Sequence, residues 1–433
     1  MIRIGVFSDT HIGRNIPRVV GDARRIAFRE AFRQAIDIFI NSRVDYVLHC
    51  GDLFEKRSMS VEDVNFVKNE FYRLVKTSKE IWGKDVKIIA IRGNHDGALS
   101  SCVLEYVTHP VADYFQVIGE TLQEVLKYYK DDRILVVGLG HHPHIRSRVK
   151  KLIKEIDNII QSSSDRLFRI LLLHNYVENF GDIPPSTPEQ SVVDLQDLRS
   201  IDVDLVILGH YHEGSRLIKF NGSSLLIPGA TEAIDLGEKG PFKIHLLDID
   251  EDKKIEEKAI ELTPSHHISI RKVFSPDPKP LEWFKNKVLE EITDFIAELE
   301  KLNMLGILKV KVNGVVTDVK IFSKILLEDE INEIKEKNSK LLYLEIEEDL
   351  TPLVKEEVKD VSTISSEEMF KELFKELGDE PSILELVDET SIALEEKASE
   401  KTGILKDSDR ANFIERWVRI LMKKAGEDYD KTL

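Results

Sequence analysis

The sequence predicts an α/β fold in which two mixed β-sheets form a sandwich flanked by helices. Seven short apolar runs, rich in β-branched residues, recur through the first 250 residues with the lengths typical of strands buried on both faces. Stretches with helical periodicity separate the earlier runs. The later runs, from about residue 203, are joined by short turns, which indicates that part of the sheet system is antiparallel.

The elements of this first part follow in order along the chain. Strands are predicted over residues 2–7, 44–49, 86–91, 134–138, 168–173, 203–208 and 242–248. Helices are predicted over residues 24–40, 60–80 and 99–107. In the first helix, Phe28, Phe32 and Phe39 fall at positions i, i+4 and i+11, so they share one face.

A change in composition near residue 264 marks a second unit. Four prolines fall within residues 264–280. After them, a helix, a strand, a helix and a strand are predicted over residues 280–302, 308–314, 324–337 and 341–348. Beyond Pro352 the chain is acidic, and amphipathic helices are predicted over residues 366–377, 381–397 and 407–425. The expected organisation is a domain over 1–262, a second over 263–351, a linker over 352–365 and a helical region over 366–433.

Composition narrows the class of protein. The chain has 433 residues, enough for two or three domains of roughly 100–200 residues, and its 42% hydrophobic content is too high for a disordered chain. No run of about 18 apolar residues occurs, and the N-terminal residues predict a strand, so neither a membrane span nor a secretory signal is expected. Two cysteines, Cys50 and Cys102, argue against a disulfide framework. The expected compartment is the cytoplasm.

Charge is distributed unevenly along the chain. The formal net charge is −17, but residues 1–240 carry only −2, which leaves −15 for the rest. Basic stretches lie in the nearly neutral first half, at residues 11–33 and 146–154. A local basic groove is therefore compatible with the acidic total, and a solvated helix face is the ordinary alternative.

Five polar segments directly follow predicted strands. They are Ser8-Asp9-Thr10-His11, Gly51-Asp52, Gly93-Asn94-His95-Asp96, His174-Asn175 and Gly209-His210-Tyr211-His212. Ligands of open α/β sheets gather outside the carboxyl ends of strands, so we expect all five segments to converge. Each segment alone is commonly structural, but the complete set indicates a functional site.

The residue types in these segments predict a centre for two metal ions. The candidate ligands are Asp9, His11, Asp52, Asn94, His174, His210 and His212. Two carboxylates, one amide and four imidazoles are too many for one ion, and a carboxylate can bridge two ions about 3.5–4 Å apart. Mixed oxygen and nitrogen ligands suit manganese, iron or zinc. The i, i+2 spacing of Asp9 with His11, and of His210 with His212, would point both side chains of a pair the same way from an extended segment.

The order of the motifs, D-x-H, G-D, G-N-H-D, H and G-H-x-H, resembles the calcineurin-like metallophosphoesterase superfamily over residues 1–250. The resemblance implies two ligand sets with Asp52 as the bridge: Asp9, His11, Asp52 and His212 for one ion, and Asp52, Asn94, His174 and His210 for the other. It also implies that His95 orients or protonates the leaving oxygen and that Asp96 orients His95. The implied reaction is in-line attack on phosphorus by a water acidified between the ions.

Longer segments resemble the double-strand-break repair nuclease subunit of the meiotic-recombination-eleven family, called SbcD in bacteria, and suggest an archaeal source. They are VDYVLHCGDLFEKRSMS, IIAIRGNHD, ILGHYHEG and SSLLIPGATEAIDLGE. The resemblance implies a DNA exo- and endonuclease that uses two divalent cations, Mn²⁺ before others, at DNA ends. It further implies a DNA-capping domain at 263–351 and docking of the helices within 366–433 on a Rad-fifty or SbcC-type ATPase.

The resemblance also implies a homodimer through the predicted helices at 60–80 and 99–107. These helices carry four apolar residues beyond what one packing face needs, Phe66, Phe71, Leu104 and Tyr106. Ordinary core packing is the alternative explanation for them.

Other functions remain open at this point. A small-molecule or cyclic-nucleotide phosphodiesterase would need only the first 250 residues, a protein phosphatase would be expected to have other loops around GDLF, and a non-enzymatic DNA-end scaffold would be expected to have lost ligands. One position departs from the family pattern. Some members carry a histidine thought to touch DNA directly after GDLF, whereas this chain has Glu55, followed by Lys56 and Arg57. The departure bears on exonuclease efficiency.

Overall fold

Two six-stranded sheets account for most of the strands before residue 262 in a computed structural model of the chain. The structure describes residues 1–108, 113–122, 125–181, 183–220, 222–238, 240–317, 325–326 and 328–353. The predicted helical region at 366–433 and nearly all of the predicted linker lie outside these residues. Residues Met1–Leu353 form one compact unit.

Each of the seven predicted strands is present, and the described residues before 262 contain nine further strands. In chain order, the strands are β1 (Ile2–Phe7), β2 (Tyr46–His49), β3 (Lys87–Ala90), β4 (Phe115–Val117), β5 (Gly119–Glu120), β6 (Leu126–Lys127), β7 (Tyr129–Lys130), β8 (Ile134–Leu139), β9 (Phe168–Leu173), β10 (Tyr176–Val177), β11 (Val192–Val193), β12 (Leu205–Leu208), β13 (Arg216–Phe220), β14 (Ser223–Ile227), β15 (Lys243–Ile249) and β16 (Ile255–Glu261). The spatial orders are β16-β15-β1-β2-β3-β4 and β13-β14-β12-β9-β8-β7, and two short ribbons pair β5 with β6 and β10 with β11.

Both sheets are mixed, as the sequence predicts. In the first sheet, β1 to β4 are parallel to one another. β15 pairs antiparallel with β1, and β16 pairs antiparallel with β15. In the second, β8, β9, β12 and β14 are parallel, and the edge strands β7 and β13 are antiparallel. A shared core of aliphatic side chains, including Ile4, Leu48, Ile170 and Ile207, joins the inner faces of the two sheets. The fold is therefore the predicted sandwich.

Helices cover the outer faces of the sandwich. They are α1 (Gly21–Asn41), α2 (Val61–Trp82), α3 (Ile145–Gln161) and α4 (Leu195–Arg199). The predicted face of α1 is confirmed, because Phe28, Phe32 and Phe39 are fully buried in the core beneath it. The ends of α2 follow from capping: the Ser60 hydroxyl accepts a hydrogen bond from the Asp63 amide at 3.1 Å, and Gly83 ends the helix in the left-handed conformation.

The predicted helix at 99–107 is wrong. The segment forms two short 3₁₀ turns, Leu99–Ser101 and Val103–Tyr106, because Cys102 between them is extended (φ −78°, ψ 124°) and interrupts helical hydrogen bonding. Leu104 is fully buried in the chain's own core, and Tyr106 is 69% exposed. Phe71 is likewise buried and Phe66 packs against the same core, so ordinary packing accounts for three of the four apolar residues.

A third sheet follows residue 262. Its strands β17 (His266–Lys279), β18 (Leu305–Val316) and β19 (Leu341–Pro352) are all parallel, and α5 (Leu281–Leu302) and α6 (Glu328–Lys337) pack with it around a separate core. β17 was not predicted, since the prolines within residues 264–280 suggest a junction. The sheet tolerates Pro276 and Pro278 because β17 is an edge strand with a register shift between Ser275 and Lys279. In the described part of the chain, no helix is long and apolar enough to span a membrane.

Candidate metal centre

The loops after five strands carry the seven predicted ligands to one place. Asp9 and His11 follow β1, Asp52 follows β2, and Asn94 follows β3. His174 follows β9, and His210 and His212 follow β12. Backbone hydrogen bonds join neighbouring strand ends: the Asp9 amide donates to the Gly51 carbonyl at 3.0 Å, and the Gly209 amide donates to the Leu173 carbonyl at 2.9 Å. The centre is therefore built on the rigid edges of both sheets.

Among the described residues, three groups of potential ligand atoms form within this centre: two consist of predicted ligands, and the third is His11, Glu55 and His95. Asp9, His11 and His212 each present one ligand atom, and these atoms lie within 4.8 Å of one another. Asp52, His174 and His210 form a second group under the same distance. The Asn94 side-chain oxygen lies 3.3 Å from Nε2 of His174, which puts the amide beside the second group.

Asp52 lies between the two groups. Its Oδ2 atom is 3.2 Å from Nε2 of His174 in one group and 3.7 Å from Nε2 of His11 in the other. Its Oδ1 atom accepts a hydrogen bond from the His95 amide at 2.8 Å. One carboxylate oxygen thus faces both groups while the other is used for backbone support, which is the arrangement a bridging ligand needs.

Unpaired buried atoms show that the centre suits cations. Nε2 of His11, Oδ2 of Asp52 and Nδ1 of His210 are buried without a hydrogen-bond partner among the described residues. An unsatisfied buried polar atom costs about 1–3 kcal/mol, and native proteins keep few of them. Two imidazole nitrogens and a carboxylate oxygen are ligands for divalent transition metals, so bound cations would satisfy all three.

The backbone of the ligand loops is strained rather than extended. Asp9, His11, Asp52 and His210 have positive φ angles of 50°, 40°, 52° and 78°. The expectation that extended i, i+2 spacing makes the side chains converge is therefore wrong. Left-handed turns aim these side chains instead, and such conformations in residues other than glycine cluster at functional sites.

Two glycines permit the close approach of the strand ends. A Cβ atom at Gly51, which has φ +96°, would overlap the ring of His174. A Cβ atom at Gly209 would overlap the carbonyl oxygen of Cys50. Any side chain at these positions would push the two sheet edges apart.

Three of the four ligand histidines are held through Nδ1. Nδ1 of His11 lies 3.0 Å from Oε2 of Glu55, and Nδ1 of His212 lies 2.8 Å from Oε1 of Glu238. Nδ1 of His174 lies 2.6 Å from the Cys50 carbonyl oxygen. In each case Nδ1 donates to the oxygen, so Nε2 is the ring nitrogen that can bind a metal once it carries no proton.

The ionisable side chains of the centre shift one another's pKa values. Burial lowers the pKa of His174, but the neighbouring Asp52 and Asp9 carboxylates outweigh it and raise the pKa to about 9. Burial raises the pKa of Asp52, yet His174 and His11 bring it well below its usual range. Burial, assisted by the positive charge of His174, lowers the pKa of His210 to about 2, so this imidazole is neutral and able to act as a ligand.

The hydrogen-bond partners of His95 and Asp96 differ from the expected pairing of the two side chains. Nδ1 of His95 lies 2.7 Å from the carbonyl oxygen of Glu55, and its ring centroid is 4.7 Å from that of His11. The Asp96 carboxylate instead accepts hydrogen bonds from the amides of Phe54 at 3.0 Å and Gly93 at 2.8 Å. Burial, and then the charge of Asp52, raises the pKa of Asp96 to about 6. Asp96 therefore joins two loops, and the Glu55 carbonyl takes the predicted role of orienting His95.

Sequence reasoning missed several residues at the centre. His141 follows β8, and its ring centroid is 5.7 Å from that of His210. Tyr176 also packs on His210, and the centroids of the Tyr176 and His210 rings are 4.2 Å apart. The segment Gly140-His141-His142 at a strand end is a signal of the same kind as the five motifs. Glu238 gave no signal, since it lies 26 residues beyond His212.

With this geometry established, comparison with known proteins assigns the domain. Residues 2–214 match the family model for calcineurin-like phosphoesterases. This segment has the calcineurin-like phosphoesterase fold. It contains all seven candidate ligands, so the family and the two ligand groups point to the same metal-dependent phosphoesterase chemistry.

Three curated relatives are each named DNA double-strand break repair protein Mre11. The protein of Thermoplasma acidophilum is 25% identical over 214 residues, 48% of this chain and 50% of the relative. The protein of Methanosarcina mazei is 26% identical over 305 residues, which are 69% of this chain and 45% of the relative. The protein of Saccharolobus solfataricus is 27% identical over 262 residues, which are 59% of this chain and 62% of the relative. The chain spans about half the length of the first relatives, and the resemblance to archaeal members of this nuclease family is confirmed.

The surroundings of the phosphoesterase centre revise the expectation of a basic groove. The arginines of the stretch at 11–33 are largely used inside the fold: Arg14 and Arg24 are buried, and Arg29 pairs with Asp63 at 2.6 Å. A cleft of about 450 Å³ opens instead beside His210 and His212. Its lining includes Tyr176, His210, His212 and Arg216 together with the carboxylates Glu213, Asp235 and Glu238, so aromatic groups and charges of both signs border the ligands.

Proposed function

We propose that the chain is a DNA nuclease that processes double-strand ends, cleaving phosphodiester bonds as an exonuclease and as an endonuclease with two divalent cations, Mn²⁺ before others. The observation that carries the proposal is the position of Asp52, whose Oδ2 atom faces both ligand groups. A paired centre of this kind suits attack on a phosphoester, and the three curated relatives are each named DNA double-strand break repair protein Mre11.

The assigned ligands are those that the family resemblance implies. Asp9, His11, Asp52 and His212 would hold one ion, and Asp52, Asn94, His174 and His210 would hold the other. When bound, the ions supply an acidified water and stabilise charge on the phosphate oxygens. The two ligand groups at the sheet edges support this division, with Asp52 shared between them.

His95 is assigned to the leaving group. Its Nδ1 is taken by the Glu55 carbonyl, so Nε2 is the atom able to give a proton to the leaving oxygen. The His95 amide bond to Asp52 fixes the distance between this residue and the centre. Asp96 contributes by holding the loop of His95 against the loop of Phe54.

Other parts of the chain are assigned to DNA and to partners. The DNA-capping role is assigned to residues 263–351, and the three-stranded sheet with its own core supports a separate unit there. The helices predicted within 366–433 are assigned to a Rad-fifty or SbcC-type ATPase. We keep the homodimer as part of the proposal, with α2 as its remaining helical element, and we place the activity at nucleoid DNA in the cytoplasm.

The decisive test compares two substrates. Purified full-length protein is incubated with linear double-stranded DNA and, separately, with bis(para-nitrophenyl) phosphate, each with Mn²⁺ or with EDTA. The nuclease is expected to degrade DNA only with Mn²⁺, and Asp52→Asn is expected to be inactive on both substrates. Hydrolysis of the small ester without any DNA cleavage would favour the alternative, a small-molecule phosphodiesterase.

A second experiment tests the partner. Co-expression with the Rad-fifty or SbcC-type ATPase of the same source should give a complex that co-purifies. A chain truncated after residue 353 should keep Mn²⁺-dependent cleavage and lose the complex. Undiminished ATPase binding by the truncated chain would contradict the assignment of the C-terminal region.

A further inference from the structure

We propose that Glu55 and Glu238 are positioning carboxylates that make the side of the centre built by Asp9, His11 and His212 the tighter of its two metal sites. This inference rests on the two-metal centre of the proposed function. It concerns the residues that hydrogen-bond to the ligand histidines. It predicts which of the two metal sites that share Asp52 binds its ion more tightly.

Glu55 clamps His11. Oε2 of Glu55 accepts from Nδ1 of His11 at 3.0 Å, while Oε1 accepts from Nη1 of Arg14 at 2.8 Å. The Glu55 side chain is only 15% exposed, so solvent competes little for either oxygen. With both oxygens occupied, the carboxylate cannot turn away from the imidazole, and Nε2 of His11 is held toward Asp52.

Glu238 clamps His212 in the same way. Its Oε1 accepts from Nδ1 of His212 at 2.8 Å, and its Oε2 accepts from the Ile234 amide at 2.7 Å. The side chain is 11% exposed. The two clamps are joined, because Nε of Arg14 donates to the Ile234 carbonyl at 2.6 Å. Both histidines of this side are therefore fixed by one continuous hydrogen-bond network.

On the side of the centre built by Asn94, His174 and His210, no carboxylate among the described residues is hydrogen-bonded to Nδ1 of a ligand histidine. Nδ1 of His174 is held by the neutral carbonyl of Cys50 at 2.6 Å, and Nδ1 of His210 is itself an atom offered to a cation, with no hydrogen-bond partner among the described residues. Asn94 is an exposed, neutral amide. A carboxylate behind an imidazole raises its basicity and fixes its orientation, so the two sides should differ in affinity for the same cation.

The network depends on the residue where this chain departs from the family pattern. Glu55 stands at the position that is histidine in some members, and it supplies a negative charge to His11 while its carbonyl holds His95. The same residue thus supports one ligand and the group assigned to proton transfer.

The test is a calorimetric titration of the full-length chain with Mn²⁺ in the absence of DNA. The wild-type protein should bind two ions in two resolved steps. Glu55→Gln and Glu238→Gln keep an acceptor oxygen but remove the charge, and each should weaken the tighter step by about 10–100-fold while sparing the weaker step. Asn94→Ala should remove the weaker step alone.

Glu257→Gln is the matched control. Oε1 of Glu257 lies 2.7 Å from Nδ1 of His245, a carboxylate–histidine pair of the same kind outside the ligand groups, so this variant should titrate like the wild type. Thermal unfolding of each variant checks that the fold is retained. In addition, nitrogen-15 spectra of the histidine rings should show the Nδ1–H tautomer of His11 in the wild type and a mixture in Glu55→Ala.

Several outcomes would overturn the inference. Two sites of equal affinity, an unchanged tighter step in both glutamine variants, or loss of the tighter step in Asn94→Ala would each do so. Because binding is measured without DNA, these outcomes are separate from the proposed function. A protein that shows the two predicted steps but cleaves no DNA would reject the nuclease assignment and leave this inference intact.

Discussion

The backbone amide of His95 donates a hydrogen bond to Oδ1 of Asp52 at 2.8 Å. This bond fixes the loop after β3 to the loop after β2 through the carboxylate that both ligand groups share. It also leaves Oδ2 as the atom that faces the ligands. The residue assigned to proton transfer and the residue assigned to bridging are therefore positioned by the same contact, and their substitutions should have separable effects.

Asp52→Asn should abolish activity and reduce bound metal at both sites. The amide oxygen can still accept from the His95 amide, but the charge shared by the two groups is lost. Substituting a residue that only hydrogen-bonds to a metal ligand lowers metal affinity or activity by about 10–100-fold. Loss of a bridging ligand should therefore lower the cleavage rate by more than about 100-fold. Metal content by mass spectrometry and thermal unfolding are the measurements. Normal turnover with a retained fold would contradict the two-metal assignment.

His95→Asn should separate binding from chemistry. The His95 side chain is grouped with His11 and Glu55 and is not one of the predicted ligands, so metal content and DNA affinity should stay near the wild-type values. Cleavage should fall by about 10²–10⁴-fold, the usual contribution of general acid–base catalysis. Single-turnover DNA cleavage and Mn²⁺ titration measure the two effects. A parallel collapse of metal binding would show that His95 is a ligand.

The strand ends and their polar segments could be predicted from the sequence because both signals are local. A buried strand requires a short apolar run, and each run here ends in residues that are unfavourable inside a sheet. The geometry between the segments could not be predicted. The positive φ of Asp9 and Asp52 depends on contacts between loops that are far apart in sequence, such as the Asp9 amide on the Gly51 carbonyl.

Two elements show where local signals fail. Prolines predicted a junction at residues 264–280, whereas the edge position of β17 removes the need for their missing amide hydrogens. The apolar spacing at 99–107 predicted a helix, but Cys102 is extended between two 3₁₀ turns. Glu238 was missed because its partner His212 is set by tertiary structure, with no spacing rule to reveal it.

Gly209→Ala should damage the centre without replacing a ligand. A Cβ atom there would overlap the Cys50 carbonyl oxygen and press on the His174 ring, so the sheet edges would have to separate. We expect lower thermal stability and weaker Mn²⁺ binding. Gly83→Ala is the control: its φ is +67° but its surroundings are open, so it should cost only about 1–2 kcal/mol and leave metal binding unchanged.

Glu232→Leu should destabilise the fold strongly. Nη1 of the fully buried Arg24 lies 3.1 Å from Oε1 of Glu232, whose side chain is 2% exposed. Removing one partner leaves an unpaired buried charge, at a cost of about 3–5 kcal/mol. The double variant Arg24→Met with Glu232→Leu should recover most of that loss. Chemical denaturation measures all three proteins, and a single variant as stable as the wild type would show that the pair carries no charge.

Asp131 should make stability fall at acid pH. Its Oδ2 atom accepts hydrogen bonds from the hydroxyls of Tyr46 at 2.5 Å and Tyr129 at 3.0 Å. Burial raises the pKa of Asp131, but these bonds and two backbone amides outweigh it and lower the pKa below its ordinary 3.8. A carboxyl with a lowered pKa stabilises the folded state above its unfolded pKa, and this contribution is lost as pH falls through the folded pKa. Asp131→Asn should therefore be less stable than the wild type at pH 7, and the difference should shrink below about pH 4. Thermal unfolding across pH 3–7 tests this, and a difference that is constant over the whole range would contradict it.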